Sequence, residues 1–177
     1  ELQKITSTID LVKNDPNVSI TTIKIHGYAS PEGTYASNRR LAEGRAASLA
    51  DYVNRLYSFP AGTMQVESTP EDWDGLRRYV ADSLHLDNTE EILTIIDDTT
   101  LAPDAREWRM KSRYPQQYRM LLADVYPALR HSDYEVDYVV RPFNLEEARR
   151  VLKENPRLLS LHEMFMVAQS YEPGSPD

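Results

Sequence analysis

The feature that most constrains this chain lies between residues 18 and 67. Val18 to Ile25 is rich in β-branched residues, with Ile23 and Ile25 in alternation, and runs into the Gly-, Pro- and Ser-bearing stretch Gly27 to Gly33. That pattern predicts a strand followed by a loop. Leu41, Leu49, Tyr52, Val53 and Leu56 then mark a long helix that ends before Phe59-Pro60-Ala61-Gly62, and Met64-Gln65-Val66-Glu67 reads as a second strand. Ahead of all this, Leu2, Ile5, Ile9 and Val12 recur at helical spacing up to the Asn14-Asp15-Pro16-Asn17 breaker. Helix, strand, helix, strand predicts an α/β (α+β) fold with helices packed on a small mixed sheet. A further strand ahead of Glu1 is expected.

The second half has a helical texture. Thr69 and Pro70 read as an N-cap and first helical residue, followed by the apolar positions Trp73, Leu76, Tyr79 and Val80. Thr89 to Ile96 and Asp104 to Leu129 are helical in pattern, the latter broken near Pro115 and Pro127. Tyr134 to Arg141 alternates, with Val136, Tyr138 and Val140 on one side, and is expected to rejoin the sheet. Residues 71–130 are therefore a helical insertion whose apolar spacing includes both tryptophans, Trp73 and Trp108, and which is expected to pack on the sheet domain as ordered helices. Asn144 to Asn155 and Leu159 to Tyr171 form a helical pair, the first capped by Asn144 with Glu146 and Glu147 in its opening turn. The predicted organisation is a domain over 1–143 and a helical hairpin over 144–177, similar to the start of a tetratricopeptide-like array cut short.

Composition removes several function classes. The 177 residues carry a net charge of -8, which disfavours nucleic acid, because binding a polyanion relies on clustered Lys and Arg. With 41% apolar residues the chain has no run approaching the roughly 18 that a membrane span needs. The absence of cysteine rules out disulfides, thiolate metal sites and cysteine nucleophiles. A chain beginning at Glu1, inside an apparent helix, is expected to be a processed or excised form from which any signal peptide has gone.

Enzymatic constellations are weak. His26, His85, His131 and His162 include no pair at the helical i, i+4 spacing that puts two imidazoles on one metal. His162-Glu163 opens like a zinc-protease motif, yet Met166 stands where the second ligand belongs. Glu90-Glu91 and Asp97-Asp98 are adjacent pairs that point in different directions on a helix, which suits solvated acids better than a catalytic dyad. The loop Gly27 to Gly33 lacks the Gly-Lys-Ser/Thr ending of a phosphate loop. No cofactor, metal or enzymatic activity is expected.

The stretch "IKIHGYASPEG", followed by "NRRLAEGRAASLADYV", resembles the C-terminal domain of the OmpA family, the periplasmic module that anchors outer-membrane proteins and lipoproteins to peptidoglycan. The family pattern is a strand, Gly-His-Thr-Asp, a loop closing on Gly, then Asn-x-x-Leu-Ser-x-x-Arg-Ala and an apolar helix. Gly27, Gly33, Asn38, Leu41, Arg45 and Ala46 stand at the matching positions. The likeness is strong over residues 26–53 and extends in element order over 1–68. "EDW", "YPALR" and "YVVRPF" are similar to OmpA-like proteins of Bacteroides-type bacteria, which carry "GYASPEG" and are often linked to fimbrial or surface assembly.

What the resemblance implies is an OmpA-like sandwich in a periplasmic, outer-membrane-associated protein, with the peptidoglycan peptide stem and envelope or fimbrial proteins as partners. In the family an Asp and an Arg clamp diaminopimelate, the carboxylate on its ammonium and the guanidinium on its carboxylate. Here Tyr28, Ala29 and Ser30 replace His, Thr and Asp, so Arg45 keeps the cationic half of the clamp and Ser30 offers only a neutral oxygen. Glu32 could reach the ammonium position by a different loop path. Ser30 also suits a plain turn role, and Arg45, four residues from both Leu41 and Leu49, suits packing beside the apolar stripe. Asn38 is expected to bond loop backbone at the start of the helix. The implied ligand-binding set is Arg45, Ser30, Glu32, Tyr28 and Asn38. Two functions follow: a cell-envelope module with an altered diaminopimelate site, or a protein-interaction scaffold without wall binding.

Overall fold

A three-stranded mixed sheet of order β2-β1-β3 lies at the centre of the fold, in a computed structural model that describes residues 2–82 and 86–171. Helix α1 (Leu2–Lys13) leads into β1 (Val18–Tyr28), and α2 (Tyr35–Leu56) crosses over to β2 (Met64–Thr69). β1 and β2 are parallel, the geometry that requires such a helical crossover. β3 (Ser132–Val140) pairs antiparallel on the other side of β1. The expected return of this segment to the sheet is therefore realised. β1 runs to Tyr28, past the Ile25 end read from the sequence, because Tyr28 pairs with Thr69 and Gly27 with Ser132. Neighbours on both sides hold the chain extended where its composition reads as loop.

Alternation along β1 separates two faces. Ile23, Ile25 and Gly27 point to the side covered by helices, where Ile5 and Ile9 of α1 and Ala46, Leu49, Ala50 and Val53 of α2 complete the sheet core. The buried face of α2 differs from the leucine stripe predicted: Leu41 is 51% exposed, and Ala42 and Ala46 lie inside instead. The cause is Gly27, which lets the helix backbone sit directly on the strand, where only alanines fit. On β3, Tyr134 and Val136 pack on this core, whereas Tyr138, expected on the same buried side, is half-exposed. It falls between Val136 and Val140, which packs on a separate C-terminal core. A register shift between Ile20 and Thr22 lies alongside it.

The insertion comprises α3 (Trp73–Asp82), α4 (Thr89–Asp97), α5 (Pro103–Arg113) and α6 (Pro115–Asp124). Its helices bury their apolar faces on one another, with Leu76, Val80, Ile92, Met110, Leu121 and Tyr126 in a core distinct from that of the sheet. The insertion is helical, as expected, but its apolar core is its own rather than shared with the sheet, and only one of its two tryptophans packs against that core. Arg106 and Met110, four apart, form the buried face of α5, so Trp108 points the other way and is 68% exposed. Trp73 is partly buried, with the Arg106 guanidinium 4.6 Å from its ring. Thr69 is not the N-cap of α3, since it is held in β2; Asp72 takes that role, its Oδ1 accepting from Gly75 N at 2.8 Å. Pro115 breaks the helical run as expected.

Helices α7 (Leu145–Glu154) and α8 (Leu161–Gln169) flank a short 3-10 turn, Pro156–Leu158, and pack around Phe143, Ala148, Val151, Leu159 and Val167. Each opens on a capping box, Asn144 with Glu147 and Ser160 with Glu163. Among the described residues no helix is long and apolar enough to cross a membrane. Residue 1, His85 and the 172–177 tail lie outside the described residues.

Candidate functional site

The loop between β1 and α2 joins the sheet to the insertion through polar contacts. Ala29 N donates to Thr69 O and Ala29 O accepts from Asp72 N, so the loop starts pinned to the end of β2 and the start of α3. Gly33, at φ 90°, makes a left-handed turn that an L side chain would strain, and its N–H donates to Glu107 Oε1 of α5 at 3.3 Å. Thr34 caps α2, its hydroxyl accepting from Ser37 N, and Tyr35 N donates to Asp104 Oδ1 at 2.7 Å.

Asn38 is buried, as its place in the binding set does not require. Its Nδ2 donates to Glu71 Oε1 at 3.0 Å, rather than to loop backbone as expected, and Trp73 Nε1 donates to Glu71 Oε2 at 2.9 Å. Burial pushes the Glu71 carboxyl above the ordinary range, and the bonds from Asn38 and Trp73 oppose that rise. This trio locks the helix start to the insertion.

Arg45 lies one turn beyond Leu41 on α2. Its guanidinium is half-buried and donates through one terminal nitrogen to the Tyr28 carbonyl at 3.0 Å. Ser30 is only 4% exposed, and its Oγ accepts from Arg130 Nε at 3.1 Å, while another Arg130 nitrogen donates to the Glu32 carboxylate. Ala29, Ser30, Glu32, Leu41, Arg45 and Arg130 are among the residues lining a shallow groove of about 430 Å³. Burial, and secondly the charge of Arg130, pull Arg45 below the usual arginine range, although a guanidinium stays charged at neutral pH. Two cations and one carboxylate thus share the groove.

Of the sequence-predicted residues, Ser30, Glu32, Asn38 and Arg45 come together here. Tyr28 contributes only its carbonyl. Its ring, on the face of β1 opposite Gly27, stacks between His26 and His131 at centroid distances of 4.4 and 4.5 Å, which removes the side chain from the groove. Glu32 is paired with Arg130, so it does not stand free to meet an ammonium group. Arg130 itself escaped sequence reasoning. It lies 100 positions from Ser30, and its only trace was the final residue of "YPALR".

The acidic residues considered for catalysis have other attachments. Asp97 pairs with Arg77 at 2.8 Å and Asp98 with Arg109 at 3.1 Å. Glu163 accepts from Phe143 N and from Ser160 in its capping box, while His162 is exposed. No family model, curated protein or solved structure matches this chain.

Proposed function

We propose that this chain is a non-catalytic, OmpA-like module of the cell envelope whose groove at Arg45 accepts a carboxylate of the peptidoglycan peptide stem. The supporting observation is the placement of Arg45: a half-buried guanidinium, one donor bonded to the Tyr28 carbonyl, beside a groove built by the strand, loop and helix that carry the family resemblance. The remaining donors of a planar guanidinium suit a carboxylate. The clamp is altered. Ser30 takes the place of the aspartate and is bonded to Arg130, and Glu32 is committed to the same arginine, so no unpaired carboxylate awaits an ammonium. The module therefore recognises the carboxylate end of its ligand and binds more weakly than a complete zwitterion clamp. On this reading the protein is periplasmic and outer-membrane associated.

A second reading, a scaffold in outer-membrane or fimbrial assembly without wall binding, is favoured by one observation. α8 presents Leu161 at 86% and Phe165 at 59% exposure, large apolar side chains of the kind that protein partners cover. The deciding experiment is co-sedimentation with purified peptidoglycan sacculi, comparing the native chain with Arg45→Ala. The first reading expects the native chain to pellet and the variant to remain in solution. A native chain that stays in solution favours the scaffold.

A further inference from the structure

The loop that forms the groove also places a negative charge inside it. Glu32 sits between Pro31, whose φ is fixed by its ring, and the left-handed Gly33, and the chain on either side is tied down by the Arg130 bond to Ser30 and the Glu107 bond to Gly33. Its carboxylate is thus delivered to Arg130 by the backbone rather than drawn from solution. The Glu32–Arg130 pair is open to water, with side-chain exposures of 44% and 38%, so it is exchangeable. Counting charges at the groove, Arg45 and Arg130 bring two positive and Glu32 one negative, leaving one net positive charge at Arg45.

We infer that Glu32 is a specificity-determining charge filter: by occupying Arg130 it restricts the groove to one ligand carboxylate at a time, and disfavours ligands that bring two acidic groups within reach of both arginines. The inference rests on the reading that Arg45 receives a carboxylate. A single carboxylate meets Arg45 and leaves the Glu32–Arg130 pair intact. A second acidic group on the same ligand finds Arg130 taken. It must either displace a tethered carboxylate or lie beside one, and like charges at close range repel. Without Glu32 the groove would present two guanidiniums with no carboxylate partner and favour dianions.

The test uses propionate and succinate, which present one and two carboxylates on similar short chains. Binding to the full chain is followed through the Nε–H resonances of Arg45 and Arg130 in NMR titrations of the native protein and Glu32→Gln. In the native protein, propionate moves the Arg45 signal, and succinate binds within about the twofold expected from having two equivalent ends. In Glu32→Gln, succinate gains about two- to fivefold over propionate, the range of one exposed charge pair, and the Arg130 signal moves with it. Adding Arg130→Gln to Glu32→Gln abolishes that gain. An unchanged succinate-to-propionate ratio in Glu32→Gln, with Arg45 still responding, overturns the filter and leaves the Arg45 reading standing. No response at Arg45 to either acid in the native protein overturns both. Because Glu32 is exposed and its loop is tied down by its neighbours, the conservative Gln variant is expected to fold, and an unchanged amide spectrum outside residues 29–45 verifies that.

Discussion

Gly27 and Ala42 meet backbone to side-chain position: a Cβ placed on Gly27 would stand 2.3 Å from the Ala42 carbonyl oxygen and 2.7 Å from Ala46 N. No rotamer relieves such a contact, since both partners are helix backbone. The approach of α2 to β1 is therefore fixed by the absence of one carbon atom, and the position of Arg45, on the next exposed turn, follows from it.

Gly27→Ala is expected to destabilise the chain by at least about 1–3 kcal/mol, the range of core overpacking, because α2 must move off the strand. The same displacement shifts Arg45 relative to the Tyr28 carbonyl. A urea midpoint lowered in the variant, with weakened peptidoglycan binding, is the expected pair of results. A midpoint equal to that of the native chain would show that the helix does not sit where described.

The Asn38–Glu71 contact gives a pH-dependent test. Burial raises the Glu71 carboxyl above its ordinary 4.5, so the folded chain holds that proton more tightly than the unfolded one. The sign follows: the unfavourable cost of the buried charge is fully expressed above the folded value and fades as pH falls toward the unfolded one. Asn38→Ala removes a bond that offsets this cost. Its destabilisation, about 1–3 kcal/mol at pH 7 for an unsatisfied buried acceptor, should shrink near pH 4.5. Urea midpoints of both proteins at the two pH values decide it; an equal loss at both would count against a charged Glu71.

The C-terminal hairpin responds in the opposite sense. Glu147 accepts from Arg141 at 2.8 Å and from Asn144 N, and the Arg141 bond is the largest cause holding its carboxyl at about 2. A depressed carboxyl stabilises the fold above its unfolded value of 4.5, and the contribution disappears as pH falls toward about 2. The stability difference between native and Glu147→Gln is thus expected to be constant above pH 5 and to close across that acid window. A difference independent of pH would contradict it.

The parts of the fold with periodic sequence were readable in advance. α1, β1, β3 and the two C-terminal helices carry apolar spacing or capping residues that declare them locally. What could not be read depends on contacts across the chain. Leu41 looked internal because a helix pattern does not reveal that Gly27 brings the backbone too close for leucine. Trp108 belongs to the apolar spacing of the insertion, but its helix buries Arg106 and Met110 instead. Half of the groove was visible as the strand, loop and helix around Ser30, Glu32 and Arg45. The other half, Arg130, is delivered by a helical insertion whose path no local pattern fixes. With Arg130 there, Ser30→Asp would place a carboxylate beside that guanidinium and pair with it, rather than supply a free partner for an ammonium.

The central claim, that Arg45 receives a ligand carboxylate, is tested most directly by a double-mutant cycle measured by calorimetry. A soluble peptidoglycan stem peptide, with one terminal carboxylate free or amidated, is titrated into the native chain and into Arg45→Ala. Removing one partner of a charged hydrogen-bonded pair costs roughly 1.5–3 kcal/mol, about ten- to a hundredfold in affinity. The account predicts that amidation weakens binding to the native chain by about that factor and has no further effect in Arg45→Ala, because the two changes remove the same interaction. Equal weakening by amidation in both proteins would contradict it.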